Sequence, residues 1–152
     1  MGLDMYLNAR RFLWIFSNGT GEDAEIGKAI SAAIPEAGNM RPSTVEFEAI
    51  YWRKANAIHK WFVDNVQDGQ DDCRSYYVSR DKLRNLLEVC ETVLKDNSRV
   101  EELLPSQSGF FFGGTDYDEW YFNDLLYTRD KIDELLSKPD FDKFDFQYKS
   151  SW

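Results

Sequence analysis

Histidine is almost missing from this chain. His59 is the only one in 152 residues, and cysteine occurs twice, at Cys73 and Cys90. One imidazole and two distant thiols do not supply the ligands of a structural zinc site, and two cysteines make no disulfide framework, so a reducing intracellular setting is expected. No apolar run approaches the roughly 20 residues that span a bilayer. Residues 1–7 have no basic stretch leading into an apolar one, so neither a membrane segment nor a signal peptide is expected. Bases are scarce as well: 18 Lys and Arg face 27 Asp and Glu, for a net charge of −9. Without a basic stripe to neutralise phosphates, direct contact with nucleic acid is disfavoured. No metal, cofactor or membrane partner is expected, and the cytoplasm is the expected location.

Aromatic residues and acids are what the chain does have. Its apolar and aromatic fractions, 43% and 16%, suit a globular protein, and its length suits one domain over residues 1–152. Residues 116–145 hold ten acids against four bases. Such a surface either keeps a protein soluble or meets a basic groove in a partner and competes there with nucleic acid.

Periodicity predicts mixed structure. Leu3–Leu7 alternates, and with Phe12–Phe16 it predicts one or two short strands. Residues 17–21 form a turn cluster, Glu22–Ile34 a modest helix stopped by Pro35, and residues 38–42 a loop. Phe47, Ile50, Tyr51, Ile58, Trp61 and Phe62 fall near helical spacing, which predicts one long helix over Thr44–Val66. Tyr76–Val78 reads as a very short strand. Ser79 then caps a helix with the apolar stripe Leu83, Leu86, Leu87, Cys90 and Leu94, and a short helical turn at Val100–Leu104 is stopped by Pro105. Gly109–Gly113 reads as a buried strand, because three consecutive phenylalanines resist exposure to water. Thr115 or Asp116 caps a third long helix reaching about Leu136. The alternating tail, with Phe144, Phe146 and Tyr148 on one face, predicts a last strand paired with the first. The expected class is α+β: a helix-dominated domain with three long helices and a small antiparallel sheet.

Residues 51–114 carry the densest candidate chemistry. His59 and Cys73, with Asp71 or Asp72 to orient the ring, are the only candidate base and nucleophile, and no known cysteine-enzyme signature surrounds them. Residues 68–72 lack the alternating ligands and closing glutamate of a calcium loop. Gly113-Gly114 lacks the lysine and spacing of a phosphate loop, and Asp116, Asp118 and Glu119 already complement the dipole of the helix that follows. Arg53 and Lys54 are the best cations for a carboxylate or phosphate, with Tyr51, Trp52, Trp61, Tyr76 and Tyr77 available to stack a flat group. Arg53, His59, Trp61 and Tyr77 therefore form a candidate ligand pocket. Trp14, Trp52, Trp120 and Trp152 exceed what one small core needs. Exposed tryptophans anchor interfaces, so Asp118, Glu119, Trp120, Asp124 and Asp133 form a candidate partner-binding surface.

Several blocks resemble a family of small proteins from bacteriophages and prophages. They are Met1-Gly2-Leu3-Asp4-Met5-Tyr6-Leu7, the Tyr51–Phe62 block, Asp71-Asp72-Cys73, Leu104-Pro105, the Ser108–Gly113 block and Tyr148-Lys149-Ser150-Ser151-Trp152. The likeness covers nearly the whole chain except about residues 10–42. It supplies no activity or site residue. It implies a context, that of a phage accessory protein in the cytoplasm of an infected bacterium. The leading expectation is a non-enzymatic protein that binds and inhibits a host protein, with a nucleic-acid-binding defence effector such as CRISPR surveillance machinery as the concrete example. The second is a protein that binds or sequesters a nucleotide-like signal, and the third an enzyme using His59 and Cys73. Self-association through the same aromatic residues is a further use of that surface.

Overall fold

The first strand, β1 (Asp4–Phe12), is hydrogen-bonded on both sides, to β2 (Thr44–Arg53) and to β4 (Asp145–Ser151). β3 (Tyr76–Val78) adds to the outer side of β4, so the order is β2-β1-β4-β3 and every pair is antiparallel. The computed structural model describes residues 2–15 and 19–152. Between the strands come α1 (Glu22–Ala33), α2 (Asn56–Asn65), α3 (Arg80–Lys95), α4 (Val100–Leu103) and α5 (Glu119–Ser137), with short 3-10 turns at 35–37, 97–99 and 139–143. The class is α+β, as the sequence predicts.

Strand alternation sorts the side chains. Leu3, Met5, Leu7 and Ala9 face a core shared with Ile50, Trp52, Val78, Phe146 and Tyr148, and α2, α3 and α5 close it with Ile58, Phe62, Leu83, Leu86, Cys90, Leu125 and Ile132. The Phe62 and Tyr148 rings stack 3.9 Å apart, and Trp52 Nε1 donates to Thr128 Oγ1 on α5 at 2.8 Å. The opposite sheet face carries Asp4, Tyr6, Asn8 and Arg10 of β1 beside Tyr51 and Gln147, all half-buried. On it the Tyr51 hydroxyl donates to Asp4. Ser79 caps α3 by accepting from Lys82 N at 3.2 Å, and the final strand pairs with the first along its whole length.

Three expectations are corrected. Thr44–Val66 is not one helix: residues 44–53 are β2, and only Asn56–Asn65 is helical. The cause is a bulge. The register of β1 and β2 slips between Leu7 and Asn8, leaving Ala49 as the extra residue. That slip makes the inward residues Phe47 and Ile50 three apart, a spacing that imitates a helix face. Lys54, at φ 59°, then turns the chain out of the sheet. Its amide donates to Leu3 O and its carbonyl accepts from Asn56 N, both at 2.8 Å.

Second, the phenylalanines do not form a buried strand. Phe110 is 94% exposed and Phe112 6%. The segment is a tight turn in which Phe112 N donates to Gly109 O at 3.2 Å. Gly109 is required there, because a Cβ would lie 2.6 Å from the Phe112 ring. Third, Asp118 caps α5, accepting from Tyr121 N at 3.1 Å, in place of Thr115 or Asp116. The expected strand over Phe12–Phe16 and turn over 17–21 fall partly on residues 16–18, outside the described residues; Phe12 ends β1.

The turn yields a paired prediction. Phe112→Ala should lower stability by about 3–5 kcal/mol, whereas Phe110→Ser should change it by less than about 0.5 kcal/mol. Urea unfolding of both variants checks this, and equal losses would contradict the exposed turn.

Candidate functional site

α2 carries a sealed polar assembly along its body and an open one at its start. The sealed one centres on His59, which is 0% exposed. A carboxylate only accepts hydrogen bonds, so Nε2 carries a proton and donates to Asp71 Oδ1 at 3.0 Å. Burial favours the neutral ring, in which Nδ1 accepts from the Tyr148 hydroxyl at 2.7 Å. Asp71 also accepts from Trp152 Nε1 at 3.2 Å and from Gln107 Nε2 at 3.4 Å. Burial holds the imidazole pKa down against the opposing pull of Asp71, and burial pushes the Tyr148 phenol well up. The Phe112 ring closes the assembly edge-on at 5.2 Å from His59.

This assembly is a pin joining α2, β4, the 71–74 loop and the C-terminal residue. The expected pairing of His59 with Cys73 is not formed. Both ring nitrogens are occupied, and Cys73 is exposed outside the network. Asp72 serves the loop instead, accepting from Arg74 Nε at 2.7 Å and from Tyr76 Oη at 2.9 Å. Burial pushes the Cys90 thiol up to about 12, which leaves it inert.

The open assembly is a cleft of about 390 Å³. One wall is the Arg53–Ile58 corner, the second is Gly113-Gly114, and the third is the start of α5 with Asp118, Trp120, Tyr121 and Asp124. Asn56 builds it. Its amide donates to Phe112 O at 3.1 Å and Gly114 O at 2.8 Å, and its Oδ1 accepts from Gln107 N at 3.0 Å. The Lys54 stem lies against Gly113, whose φ is 87° and where a Cβ would sit 3.3 Å from Lys54 Cβ. Ala55 gives α2 no side-chain cap; Asn56 N donates to Lys54 O, and Ala57 and Ile58, whose amides no side chain caps, line the cleft.

Asp124 is the unusual group in the cleft. It is half-buried, and among the described residues no cation pairs with it. Desolvation, with the Asp118 charge beside it, pushes its carboxyl up to about 6. Trp120, one turn earlier, is 78% exposed. Tyr121 anchors the wall from behind, its hydroxyl donating to Leu104 O at 2.7 Å.

The candidate ligand residues do not share a pocket. Arg53 lines the cleft, His59 (0%) and Trp61 (5%) are sealed in the core, and Tyr77 is 64% exposed on β3. Of the candidate partner residues, Asp118, Trp120 and Asp124 meet at the cleft, Glu119 stands beside them, and Asp133 lies ~14 Å beyond Asp124 along α5 at about 1.5 Å per residue. Among the tryptophans, Trp52 is core at 2% exposure, whereas Trp14 and Trp152 are 70% and 49% exposed. Sequence reasoning missed Asn56 and Tyr148. The signal for Asn56 was a lone amide opening an otherwise apolar helix face; Tyr148, 89 residues from His59, left none. Among the described residues no group of three His, Cys, Asp or Glu side chains is placed to hold a metal ion, and no helix is long and apolar enough to cross a membrane.

The pin sets a pH dependence. Unfolded, His59 takes up a proton near its ordinary 6.5, while the folded site resists it. Stability contributed by the neutral ring is therefore present above pH 6.5 and is lost as pH falls below it. Tyr148→Phe leaves Nδ1 unpaired and should cost about 1–3 kcal/mol, whereas Cys73→Ser should stay within about 0.5 kcal/mol. Unfolding midpoints from pH 5 to pH 8 test all three. Comparison with known proteins gives no match to a family model, a curated protein or a solved structure.

Proposed function

We propose that this chain is a binding protein that engages a partner protein through the cleft and the exposed side of α5. The observation that carries this reading is Asp124: a carboxylate kept desolvated and without a cation, next to an exposed tryptophan at the mouth of an open cleft. Such an arrangement costs stability in the free protein, which is a mark of a functional site. A lysine or arginine from a partner supplies the missing charge, and Trp120 supplies the apolar anchor. Along α5, Glu119 and Asp133 extend the negative surface without ion pairs among the described residues, whereas Asp130 and Glu134 are occupied by Arg129 and Lys138. In the phage context implied by the resemblance, the partner is a basic host protein. Blocking the nucleic-acid groove of a defence effector is the concrete form of this reading.

A nucleotide-like ligand in the same cleft is the second reading. It is favoured by Arg53, Lys54 and the uncapped amides of α2. It ranks below protein binding because Asp116, Asp118 and Asp124 line the same space and repel phosphates.

Affinity capture from infected bacteria, with proteins and small molecules both identified by mass spectrometry, separates the readings. The first expects a stoichiometric protein retained by the native chain and lost with Trp120→Ala and Asp118→Asn; asparagine preserves the cap. The second expects a bound nucleotide lost with Arg53→Ala. Asp124 gives an independent test. Folded, it keeps its proton up to about pH 6, whereas unfolded it releases it near 3.8, so rising pH removes stability between those values. Asp124→Asn should therefore stabilise the protein at pH 7 by on the order of 1 kcal/mol after solvent screening, lose that advantage below pH 4, and weaken partner capture.

A further inference from the structure

We infer that the outer edge of β2 is a docking site for an extended segment of a partner protein, taken up as a fifth strand with its apolar side chains toward α5 and basic side chains toward the open sheet face. The backbone supplies the first argument. Lys54 N donates to Leu3 O and Leu13 N to Ser43 O. Those two bonds set the alternation of the ladder: Val45, Phe47, Ile50 and Trp52 turn their backbone groups to β1, and Glu46, Glu48 and Tyr51 turn theirs outward. β2 ends the sheet order. Among the described residues no backbone group meets that outward row. A ten-residue edge of this kind is a template for strand addition.

The side chains specify what fits. Beneath the edge, on the helix side, runs a groove of about 380 Å³ whose apolar lining is Phe47, Ala49, Leu135, Phe141 and Phe144, with Lys131, Glu134 and Lys138 of α5 also lining it. Phe47 is 56% exposed there, with its ring 6.1 Å from Phe144. Alternate side chains of an added strand point into this groove. The others lie on the open face beside Glu46 and Glu48. Glu46 is engaged by Arg10 at 3.0 Å and Asn8 at 2.8 Å, whereas Glu48 has no side-chain partner among the described residues. A lysine or arginine across from Glu48 completes a cross-strand ion pair.

A second copy fits poorly. In the register centred on Phe47, two β2 strands related by a two-fold axis share one open face and set Glu46 and Glu48 against the same pair of the other copy, and like charges across strands are destabilising. The occupant is therefore a strand of alternating apolar and basic residues from another protein. The site lies apart from the cleft, so it stands or falls independently of the cleft reading.

The test uses the intact protein and a synthetic peptide of about eight residues alternating valine and lysine, long enough at ~3.3 Å per residue to span most of β2. A valine–glutamate peptide and a backbone N-methylated valine–lysine peptide are the controls, and nuclear magnetic resonance with hydrogen exchange is the readout. The expected result is saturable binding that slows exchange at the Glu46, Glu48 and Tyr51 amides. N-methylation should abolish it, Glu48→Lys should turn the preference toward the valine–glutamate peptide, and Trp120→Ala should leave it unchanged. Binding indifferent to N-methylation and to Glu48→Lys would be general attraction to an acidic protein and would overturn the inference. Absence of saturable binding would do the same. Protection of those amides that grows with protein concentration and no peptide would assign the edge to a second copy instead.

Discussion

A buried imidazole has two nitrogens to satisfy, and much of this fold is arranged around satisfying those of His59. One nitrogen requires Tyr148 on β4, the other Asp71 in the loop after α2, and Asp71 in turn gathers Gln107 and Trp152. Three stretches distant in sequence meet around one ring: α2 with the loop after it, the loop holding Gln107, and residues 148–152. The apolar contacts of Phe62 and Phe112 exclude water from it, and exclusion of water is what makes each polar partner necessary. The density of aromatic and polar groups in residues 51–114 therefore has a structural account for its most eye-catching members.

With His59, Asp71 and Tyr148 satisfied by one another, two carboxylates without a cation stand out toward the surface among the described residues: Asp124 in the cleft and Glu48 on the sheet edge. Asn56 links interior and surface, because the same side chain that starts α2 holds the 107–114 loop in the position that forms the cleft wall. The interior thus leaves two surfaces open, one acidic and aromatic and one a strand edge, and these are the two proposed above to take a partner protein.

Local signals were legible in the sequence where a single element carries its own pattern. The α3 stripe of Leu83, Leu86 and Cys90, the Ser79 cap and the alternating tail all form as expected, because the forces that produce them act within a few residues. β2 was not legible, since the bulge at Ala49 breaks its alternation and sets Phe47 and Ile50 at helical spacing. The Phe110–Phe112 turn was misread because burial there depends on Gly109 admitting the Phe112 ring, a contact that composition does not reveal. Half of the cleft was visible as separate candidates, Arg53 on one side and Asp118, Trp120 and Asp124 on the other. Their meeting depends on Asn56, whose lone amide is a weak signal, and on a left-handed Lys54, which has no sequence signature.

The most direct measurement of the central claim is hydrogen exchange on the protein alone and bound to the partner that it captures. The account predicts new protection at residues 53–58 and at 118–125, with the amides around His59 already slow and unchanged. Protection confined to residues 71–77, or opening of the His59 network on binding, would contradict it and return the function to the sealed assembly.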